Sequence, residues 1–284
     1  MTSRDPRVPD WQALELSKTW ADELDLARPS GLWRFLRSIF GQRRQVVVDA
    51  GHDLFRAIPK YALQEFHNLP NGNYSSRIAR GYITGFDRAM LGSMHRIRQE
   101  IAERVTDAKA VLDIGTGGGK LAAAVQSVGV ADVWGADVSP YLLKHAATDN
   151  PGVSFIQAPA EDLPFTDQRF DAVVVSFLFH EMPPKYVKQA LAEAHRVLRP
   201  GGCLLIAEPS ENQLLPVKLA SLLTAKGWRH WYFKSLASRV YEPFVMAWHK
   251  QNKPAMFAEA GFELLQHRDE IPINFYSLKK RSTT

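Results

Sequence analysis

Three glycines, at positions 115, 117 and 119, stand in a short turn between the apolar run "AVLDI" and an alanine-rich segment. Glycine has no Cβ and tolerates a positive φ, so Gly115 suits a tight turn, Gly117 a close approach to a ligand and Gly119 the start of a helix. The spacing is not the G-x-G-x-x-G of dinucleotide sites, because Lys120 stands where the third glycine would be. Asp113 adds a carboxylate beside the turn, which disfavours a pyrophosphate. The turn therefore predicts a loop that binds a small molecule of another kind.

The ligand predicted for this loop carries an amino-acid end. The carboxylate of Asp113 suits an ammonium group, while the free N–H groups of the following helix suit a carboxylate. S-adenosylmethionine has such an end. Asp137, in "WGADVSP", ends the next strand-like run, at roughly the 20-residue offset at which an acid binds ribose hydroxyls. The alternative interpretation of Asp137 is an N-cap, in competition with Ser139.

A histidine is the candidate for proton chemistry. His180 directly follows the apolar run "AVVVSFLF", at the sheet edge where the reactive end of the ligand is expected. Histidine titrates near neutral pH, so His180 is the candidate general base for a substrate that must lose a proton. Glu181 is adjacent, and its two alternatives are to orient the ring or to face away from it. The alternative is that His180 only packs or forms hydrogen bonds beneath the ligand.

The elements that position these residues follow from the hydrophobic pattern. From residue 110 onward, short apolar runs alternate with helix-like segments, which predicts βαβ units and a doubly wound, mostly parallel α/β sheet of Rossmann type. Residues 1–105 are predicted to form a helical N-terminal extension, and residues 106–284 the ligand-binding domain. The alternation stops at about 211–250, which predicts a helical cap insert. The aromatic residues of this insert are candidates for an apolar substrate pocket or for core: Trp228, Trp231, Tyr232, Phe233, Tyr241, Phe244 and Trp248.

Five segments together resemble the class I S-adenosylmethionine-dependent methyltransferases: "VLDIGTGGG", "GADVSP", "AEDLPF", "FDAVVVSFLFHEM" and "RVLRPGG". The resemblance covers about residues 105–210 and points to the small-molecule group that includes quinone- and sterol-methylating enzymes. It implies S-adenosylmethionine as cofactor, with the glycine turn at its methionine end, Asp137 at the ribose and "AEDLPF" at the adenine. It also implies that the helical extension of residues 1–105 covers the active site. The cofactor contacts predicted in this way are Asp113, Gly115, Thr116, Gly117, Gly119, Asp137, Val138, Ala160, Glu161 and Ser176.

The adenine end departs from the family pattern. Many members have an Asp where this chain has Pro159. Recognition of adenine is therefore expected from the backbone around Ala160, with Glu161 or Asp162 helping. The alternative is that either acid is a solvated loop residue.

The function predicted from the resemblance is transfer of a methyl group to a hydrophobic small molecule, such as a quinone, a polyketide or a lipid-like phenol. The alternative is a non-catalytic sensor or partner subunit that binds S-adenosylmethionine. Methylation of nucleic acid is disfavoured, because no Asn/Asp-Pro-Pro-aromatic motif follows the run ending at Phe179. The glycine spacing disfavours an NAD-dependent oxidoreductase. The oligomeric state is not predicted.

The composition of the 284-residue chain limits which cross-links, cellular location and partners can be expected. Cys203 is the only cysteine, which excludes an intramolecular disulfide framework, a multi-cysteine zinc site and a redox pair. No metal ligand is predicted among the site residues. The N-terminal segment has no apolar leader, and no stretch reaches the roughly 18 to 20 apolar residues of a membrane span. A cytoplasmic location is expected. The net charge of +5 is spread over many positions, which does not favour nucleic acid as a partner.

Residues 28–44 contain five arginines and no acid. Within them, "GLWRFLRSIF" places its apolar residues on one face of a helix and Arg34 and Arg37 off that face. Such a basic amphipathic helix suits peripheral contact with an anionic membrane. The alternative is an ordinary helix that packs on its own domain.

Overall fold

Seven strands form one sheet in the computed structural model, which describes residues 5–25, 27–40, 42–48 and 56–281. The strands are β1 (Ala110–Ile114), β2 (Asp132–Asp137), β3 (Ser154–Gln157), β4 (Phe170–Ser176), β5 (Leu198–Pro209), β6 (Phe262–Glu270) and β7 (Ile273–Lys280). Their order is β3-β2-β1-β4-β5-β7-β6. The first five run parallel, and β7 is antiparallel to both β5 and β6. The prediction of a doubly wound, mostly parallel sheet is confirmed.

Helices cover both faces of this sheet. The helices of the described residues are α1 (Pro29–Phe40), α2 (Ser76–Ala89), α3 (Ser93–Glu103), α4 (Lys120–Ser127), α5 (Pro140–Asp149), α6 (Pro184–Val197), α7 (Ala225–Ala237), α8 (Val245–His249) and α9 (Lys253–Glu259). Side chains alternate across a strand, so β1 sends Leu112 into the core under α6 and Val111 into the core under α3 and α4. Both faces of β1 are therefore apolar, as in a sheet covered on two sides.

The order of the strands creates a crevice beside β1. The chain continues from β1 to β2 on one side, while β4 pairs with β1 on the other, so the helices leaving these strands cover opposite faces. The crevice opens at the carboxyl ends of the strands, where such folds bind ligands. The backbone N–H groups of Gly115 and Thr116 donate to the carbonyl of Ala136 at 2.8 and 3.0 Å, which fixes the glycine turn at that edge.

The segment before the sheet contains α1, α2, α3 and short 3-10 turns at Lys60–Ala62 and Phe66–Asn68. Its first residues lie along the sheet, because the Trp11 indole donates to the carbonyl of Phe155 at 2.9 Å. The ammonium of Lys120 donates to the carbonyl of Ile83 at 2.6 Å and to the Asp87 carboxylate at 2.7 Å. This ion pair binds α2 to the first turn of α4, directly after the glycine turn.

Residues 211–249, between β5 and α9, are helical. They contain α7, α8 and 3-10 turns at Glu211–Leu214 and Leu219–Leu223. None of the helices within the described ranges has both the length and the apolar character needed to cross a bilayer.

Candidate active site

A groove follows the carboxyl ends of β1, β2 and β4, and most of the predicted cofactor contacts line it. It is formed by two adjoining cavities that share Gly115, Asp137, Leu178 and Glu181. The predicted residues that line the groove are Asp113, Gly115, Thr116, Gly117, Asp137, Val138, Ala160 and Ser176. Gly119 and Glu161, the other two predicted contacts, are not among the described residues that line it.

The glycines of the turn have different tasks. Gly115, Gly117 and Gly119 all have a positive φ, of 71°, 54° and 75°. A Cβ at Gly117 would meet no atom within 4 Å, so the backbone there faces open space in the groove. A Cβ at Gly119 would lie 2.8 Å from the ring of Phe155. Gly117 therefore leaves room for a ligand, while Gly119 allows α4 to pack closely on the sheet.

The carboxylates of Asp113 and Asp137 accept hydrogen bonds from the glycine turn and from residues next to it. Asp113 accepts hydrogen bonds from the Thr116 hydroxyl at 2.6 Å and from the Ala122 N–H at 3.1 Å. Asp137 accepts from the N–H groups of Gly117 at 2.9 Å and Ser139 at 2.8 Å. Burial raises the pKa of Asp137 and raises that of Asp113 to about 7, while these hydrogen bonds act in the opposite direction. Both acids are thus placed to favour a positively charged or hydroxyl-bearing ligand.

The other end of the groove is bordered by the "AEDLPF" turn. Ala160 and Val138 line it, together with the ring of Tyr61. The Glu161 carboxylate accepts from the Tyr61 hydroxyl at 2.8 Å. Asp162 is exposed and forms an ion pair with Arg56. The two loop acids therefore lie behind or outside the groove, and the adenine roles predicted for them stay predictions.

Two polar atoms in the groove fit a ligand that donates hydrogen bonds. Ser176 Oγ and Asn73 Oδ1 are shielded from solvent and have no hydrogen-bond partner in the described part of the chain. Both residues line the groove near the open backbone of Gly117. Buried polar atoms are nearly always paired. Because they face the bare turn and the ionisable Asp113 and Asp137, this set of groups fits the amino-acid and ribose parts of S-adenosylmethionine.

A second, mostly apolar cavity of about 410 Å³ adjoins the groove. Tyr82, Phe86 and Phe177 line both spaces. The rings of Phe86 and Phe177 meet edge to face, with centroids 5.6 Å apart. Phe177 has a φ of 58°, which is unusual for a bulky residue and marks a constrained turn directly after β4. This turn places an aromatic wall between the two spaces.

Few of the aromatic residues predicted for the cap line this cavity. Phe233 lines it, and within the described ranges it is the only one of the seven to do so. Trp228 and Trp231 are about half exposed, and Trp248 is buried with its ring centroid 5.7 Å from that of Phe179. Helical spacing alone does not separate core aromatics from pocket aromatics.

His180 is buried behind the aromatic wall. It lies in a 3-10 turn, Phe179–Glu181, and its side chain is 1% exposed. Its Nδ1 lies 2.7 Å from the Glu208 carboxylate. His180 is not among the residues that line the groove or the apolar cavity. Burial lowers the pKa of His180, but the carboxylates of Glu208 and Glu242 outweigh this effect and raise it well above its ordinary value. The base role of His180 stays a prediction.

Sequence reasoning missed three groups around His180. His67 and Glu242 line the apolar cavity, and Glu208 is a fully buried residue of β5. They stand far apart in the chain and in segments without a motif, so no local pattern connects them. Only the folded chain brings them together.

Comparison with known proteins agrees with this geometry. Residues 112–206 match the model of a family described as a methyltransferase domain. A demethylmenaquinone methyltransferase of Chlorobaculum tepidum is 39% identical over 130 residues, which are 46% of this chain and 50% of that protein. A ubiquinone/menaquinone biosynthesis C-methyltransferase of Brucella anthropi is 34% identical over 140 residues, 45% of this chain and 49% of that protein. The chain thus spans about half the length of the curated relatives it matches.

Solved structures include similar chains. A TehB-like S-adenosylmethionine-dependent methyltransferase of Corynebacterium glutamicum has a TM-score of 0.49 and 14% identity, over 72% of this chain and 98% of its own. The matched residues 112–206 contain the last three residues of β1, the glycine turn, Asp137 and the turn after β4. Over this region, the chain is similar to a methyltransferase domain and to methyltransferases of quinone biosynthesis.

Proposed function

We propose that this protein transfers the methyl group of S-adenosylmethionine to a hydrophobic small molecule of the quinone type. The observation that carries the proposal is the apolar cavity of about 410 Å³, which shares Tyr82, Phe86 and Phe177 with the groove. Pockets of this size and lining bind small apolar ligands. An acceptor in the cavity would lie beside the reactive end of a cofactor in the groove.

The named relatives support the acceptor class. Both are described as methyltransferases of menaquinone or ubiquinone precursors, which are aromatic rings with long apolar tails. An apolar cavity with aromatic walls suits such a ring, because aromatic pairs gain energy beyond the burial of their area. A polyketide or another lipid-like phenol has the same chemistry and belongs to the same proposal.

Bound S-adenosylmethionine would supply an electrophilic methyl group on sulfur. The residues of the chain have to hold the acceptor close and in line, since alignment is most of what such a displacement requires. The rings of Phe86 and Phe177 would fix the acceptor plane and exclude water from the boundary between groove and cavity. Asp137 would hold the ribose, and Asp113 with the glycine turn would hold the methionine end.

The base predicted at His180 needs an intermediary. Its ring does not line the cavity, whereas His67 and Glu242 do. We infer that a proton leaving the acceptor would reach Glu242 or His67 first. His180 Nε2, 3.7 Å from Glu242 Oε1, would act through that carboxylate.

The test combines binding and transfer. Calorimetry with S-adenosylmethionine and S-adenosylhomocysteine is expected to give binding, and a radiolabelled methyl group is expected to enter a quinol in a lipid extract. Gly85→Leu is the specific variant, because a Cβ at Gly85 meets no atom within 4 Å and the residue lines the cavity. It should keep cofactor affinity and lose methyl transfer. Thr84→Leu, on the exposed side of the same helix, is the matched control.

The outcomes separate the alternatives. Cofactor binding without a labelled product from any extract would favour the sensor or partner subunit. Full transfer by Gly85→Leu would remove the acceptor from the apolar cavity. Absence of cofactor binding would contradict the proposed function as a whole.

We further propose that α1 contacts an anionic membrane. Trp33 and Phe40 are 67% and 83% exposed, and Arg34 and Arg37 are exposed on the same helix. Exposed aromatics beside arginines are the pattern of helices that lie in a lipid headgroup layer. Phe35 of α1 lines the apolar cavity. A membrane contact there would bring the cavity close to an acceptor held in lipid.

A further inference from the structure

Five ionisable side chains meet between the groove and the apolar cavity. They are His67, His180, Glu181, Glu208 and Glu242. Their side chains are between 0% and 17% exposed. His67 and Glu242 line the apolar cavity, and Glu181 lines the groove. The cluster therefore lies next to both the groove and the apolar cavity and has little contact with solvent.

The two distances from Glu242 Oε1 to the histidines are longer than good hydrogen bonds. Glu242 Oε1 lies 3.5 Å from His67 Nε2 and 3.7 Å from His180 Nε2. N–H···O hydrogen bonds are usually about 2.7 to 3.2 Å long. Two atoms bound to one tetrahedral ion, with bonds of about 2.1 Å, are about 3.4 Å apart. One ligand atom from each of His67, His180 and Glu242 lies within 4.8 Å of the others.

Glu208 prepares His180 as a ligand. Its carboxylate lies 2.7 Å from His180 Nδ1 and accepts from the N–H groups of Leu178 and Phe179 at 2.9 and 2.8 Å. With Glu208 as acceptor, the proton of a neutral ring is held on Nδ1 and Nε2 presents its lone pair. Nε2 is shielded from solvent and has no hydrogen-bond partner within the described ranges. A carboxylate behind a histidine is the usual second partner of a metal-bound imidazole.

Charge also favours a cation. With neutral imidazoles, the carboxylates of Glu181, Glu208 and Glu242 would bring three negative charges into a site that is almost closed to water. Burial of unpaired charge is costly, so the site attracts positive charge. Protons on both histidines are one way to supply it. A divalent ion is the other, and the separations of 3.5 and 3.7 Å around Glu242 Oε1 are close to the spacing of two ligand atoms on one tetrahedral ion.

We propose that His67, His180 and Glu242 bind one divalent transition-metal ion, with the Glu181 carboxylate beside it. Glu181 Oε1 lies 3.2 Å from His67 Nε2, but Glu181 is outside the group of three whose ligand atoms all lie within 4.8 Å of one another. Two imidazoles and a carboxylate suit zinc or iron(II). This site does not depend on the proposed function. If the proposed function holds, the ion would face the cavity and bind a hydroxyl or carbonyl oxygen of the acceptor, in which case His180 is a ligand and not a base.

The proposal is tested by metal binding to the full chain without acceptor. Protein stripped with a chelator is titrated with Zn²⁺ by calorimetry, and Co²⁺ is added separately to record visible absorption. One ion per chain is expected. Glu242→Gln and His67→Gln should each weaken Zn²⁺ binding by at least about 100-fold and remove the cobalt absorption. Glu208→Gln should weaken it by about 10- to 100-fold, as other second partners of metal-bound histidines do.

His95→Gln is the matched control, because His95 is an exposed histidine on α3. It should bind Zn²⁺ like the unaltered chain. Circular dichroism and cofactor affinity check that the variants are folded. The proposal is overturned if the unaltered chain binds Zn²⁺ no better than Glu242→Gln, or if His95→Gln causes the same loss. Either result would leave a protonated network of histidines and carboxylates. Neither result bears on cofactor binding or methyl transfer, so the proposed function is tested independently.

Discussion

Replacement of Asp137 by alanine tests the cofactor groove most directly. The carboxylate ends β2 and accepts hydrogen bonds from the Gly117 N–H at 2.9 Å and the Ser139 N–H at 2.8 Å. Each of its oxygens therefore already orders one backbone group. The remaining lone pairs face the groove, where the ribose hydroxyls are proposed to donate. Removal of the side chain loses the ligand contacts and releases the backbone of the turn at Gly117.

The expected loss follows from the charge of the acceptor. A hydrogen bond to a charged group contributes about 1.5 to 3 kcal/mol. At about 1.4 kcal/mol for each factor of ten, the dissociation constant for S-adenosylmethionine should rise about 10- to 150-fold in Asp137→Ala. Asp137→Asn keeps one acceptor oxygen, so its loss should be smaller. Calorimetry with S-adenosylmethionine and S-adenosylhomocysteine measures both variants, and both ligands carry the same ribose.

The control is Asp167→Asn, which changes an exposed acid that lies outside the groove. It should bind both ligands with unaltered affinity. If folded Asp137→Ala also retains full affinity, the ribose does not lie at Asp137 and the orientation proposed for the cofactor is wrong. If Asp137→Asn loses more affinity than Asp137→Ala, the carboxylate acts on the turn and not on the ligand.

Four other outcomes follow from the structure. Gly119→Ala should lower the free energy of unfolding by roughly 2 to 4 kcal/mol in urea titrations, because its Cβ would clash with a buried ring, whereas Gly117→Ala should cost only about 1 to 2 kcal/mol for its positive φ. Burial raises the pKa of Asp113 to about 7, so cofactor affinity should fall as the pH decreases from 8 to 6 and the carboxylate takes up a proton, and Asp113→Asn should remove this dependence. The free energy of unfolding should also rise as the pH falls below 7. The reason is that the buried Asp113 carboxyl holds a proton in the folded chain at a pH where the unfolded chain has released it. The double variant Trp33→Ser with Phe40→Ser should bind anionic vesicles about tenfold or more weakly in sedimentation assays. Burial of each ring in the lipid is expected to contribute roughly 1.5 to 3 kcal/mol. Equal sedimentation of the double variant would contradict the membrane contact.

The fold was predictable because its signals are local. Alternating apolar runs identify the strands, and the glycine turn and Asp137 follow directly from the ends of β1 and β2. Their positions in the crevice are then a consequence of parallel pairing. Gly119 was assigned to the start of a helix and, through the resemblance, to the ligand contacts; the structure places the ring of Phe155 where its Cβ would be. The spacing of glycines predicts that a turn forms. It does not predict which glycine packs against the sheet and which one faces the ligand.

The cluster of histidines and glutamates around His180 could not be predicted from the sequence, for a different reason. His67 has a φ of 56° in a 3-10 turn, and Glu242 lies between α7 and α8, so neither stands in a periodic element. Their approach to His180 depends on how the N-terminal segment and the segment after β5 pack over the sheet. Such placement is tertiary, and no pattern of residue types along the chain encodes it visibly. The apolar cavity was missed in its details for the same reason.

The ion pair of Lys120 with Asp87 links the two ligand spaces. Helix α2 supplies the shared walls of the groove and the cavity through Tyr82 and Phe86, and Lys120 ties that helix to the loop proposed to hold the cofactor. Any shift of α2 that accommodates one ligand therefore alters the surroundings of the other. By thermodynamic reciprocity, the factor by which an occupied groove changes acceptor affinity must equal the factor by which an occupied cavity changes cofactor affinity. Lys120 and α2 are therefore expected to couple the two ligand sites by the same factor in both directions.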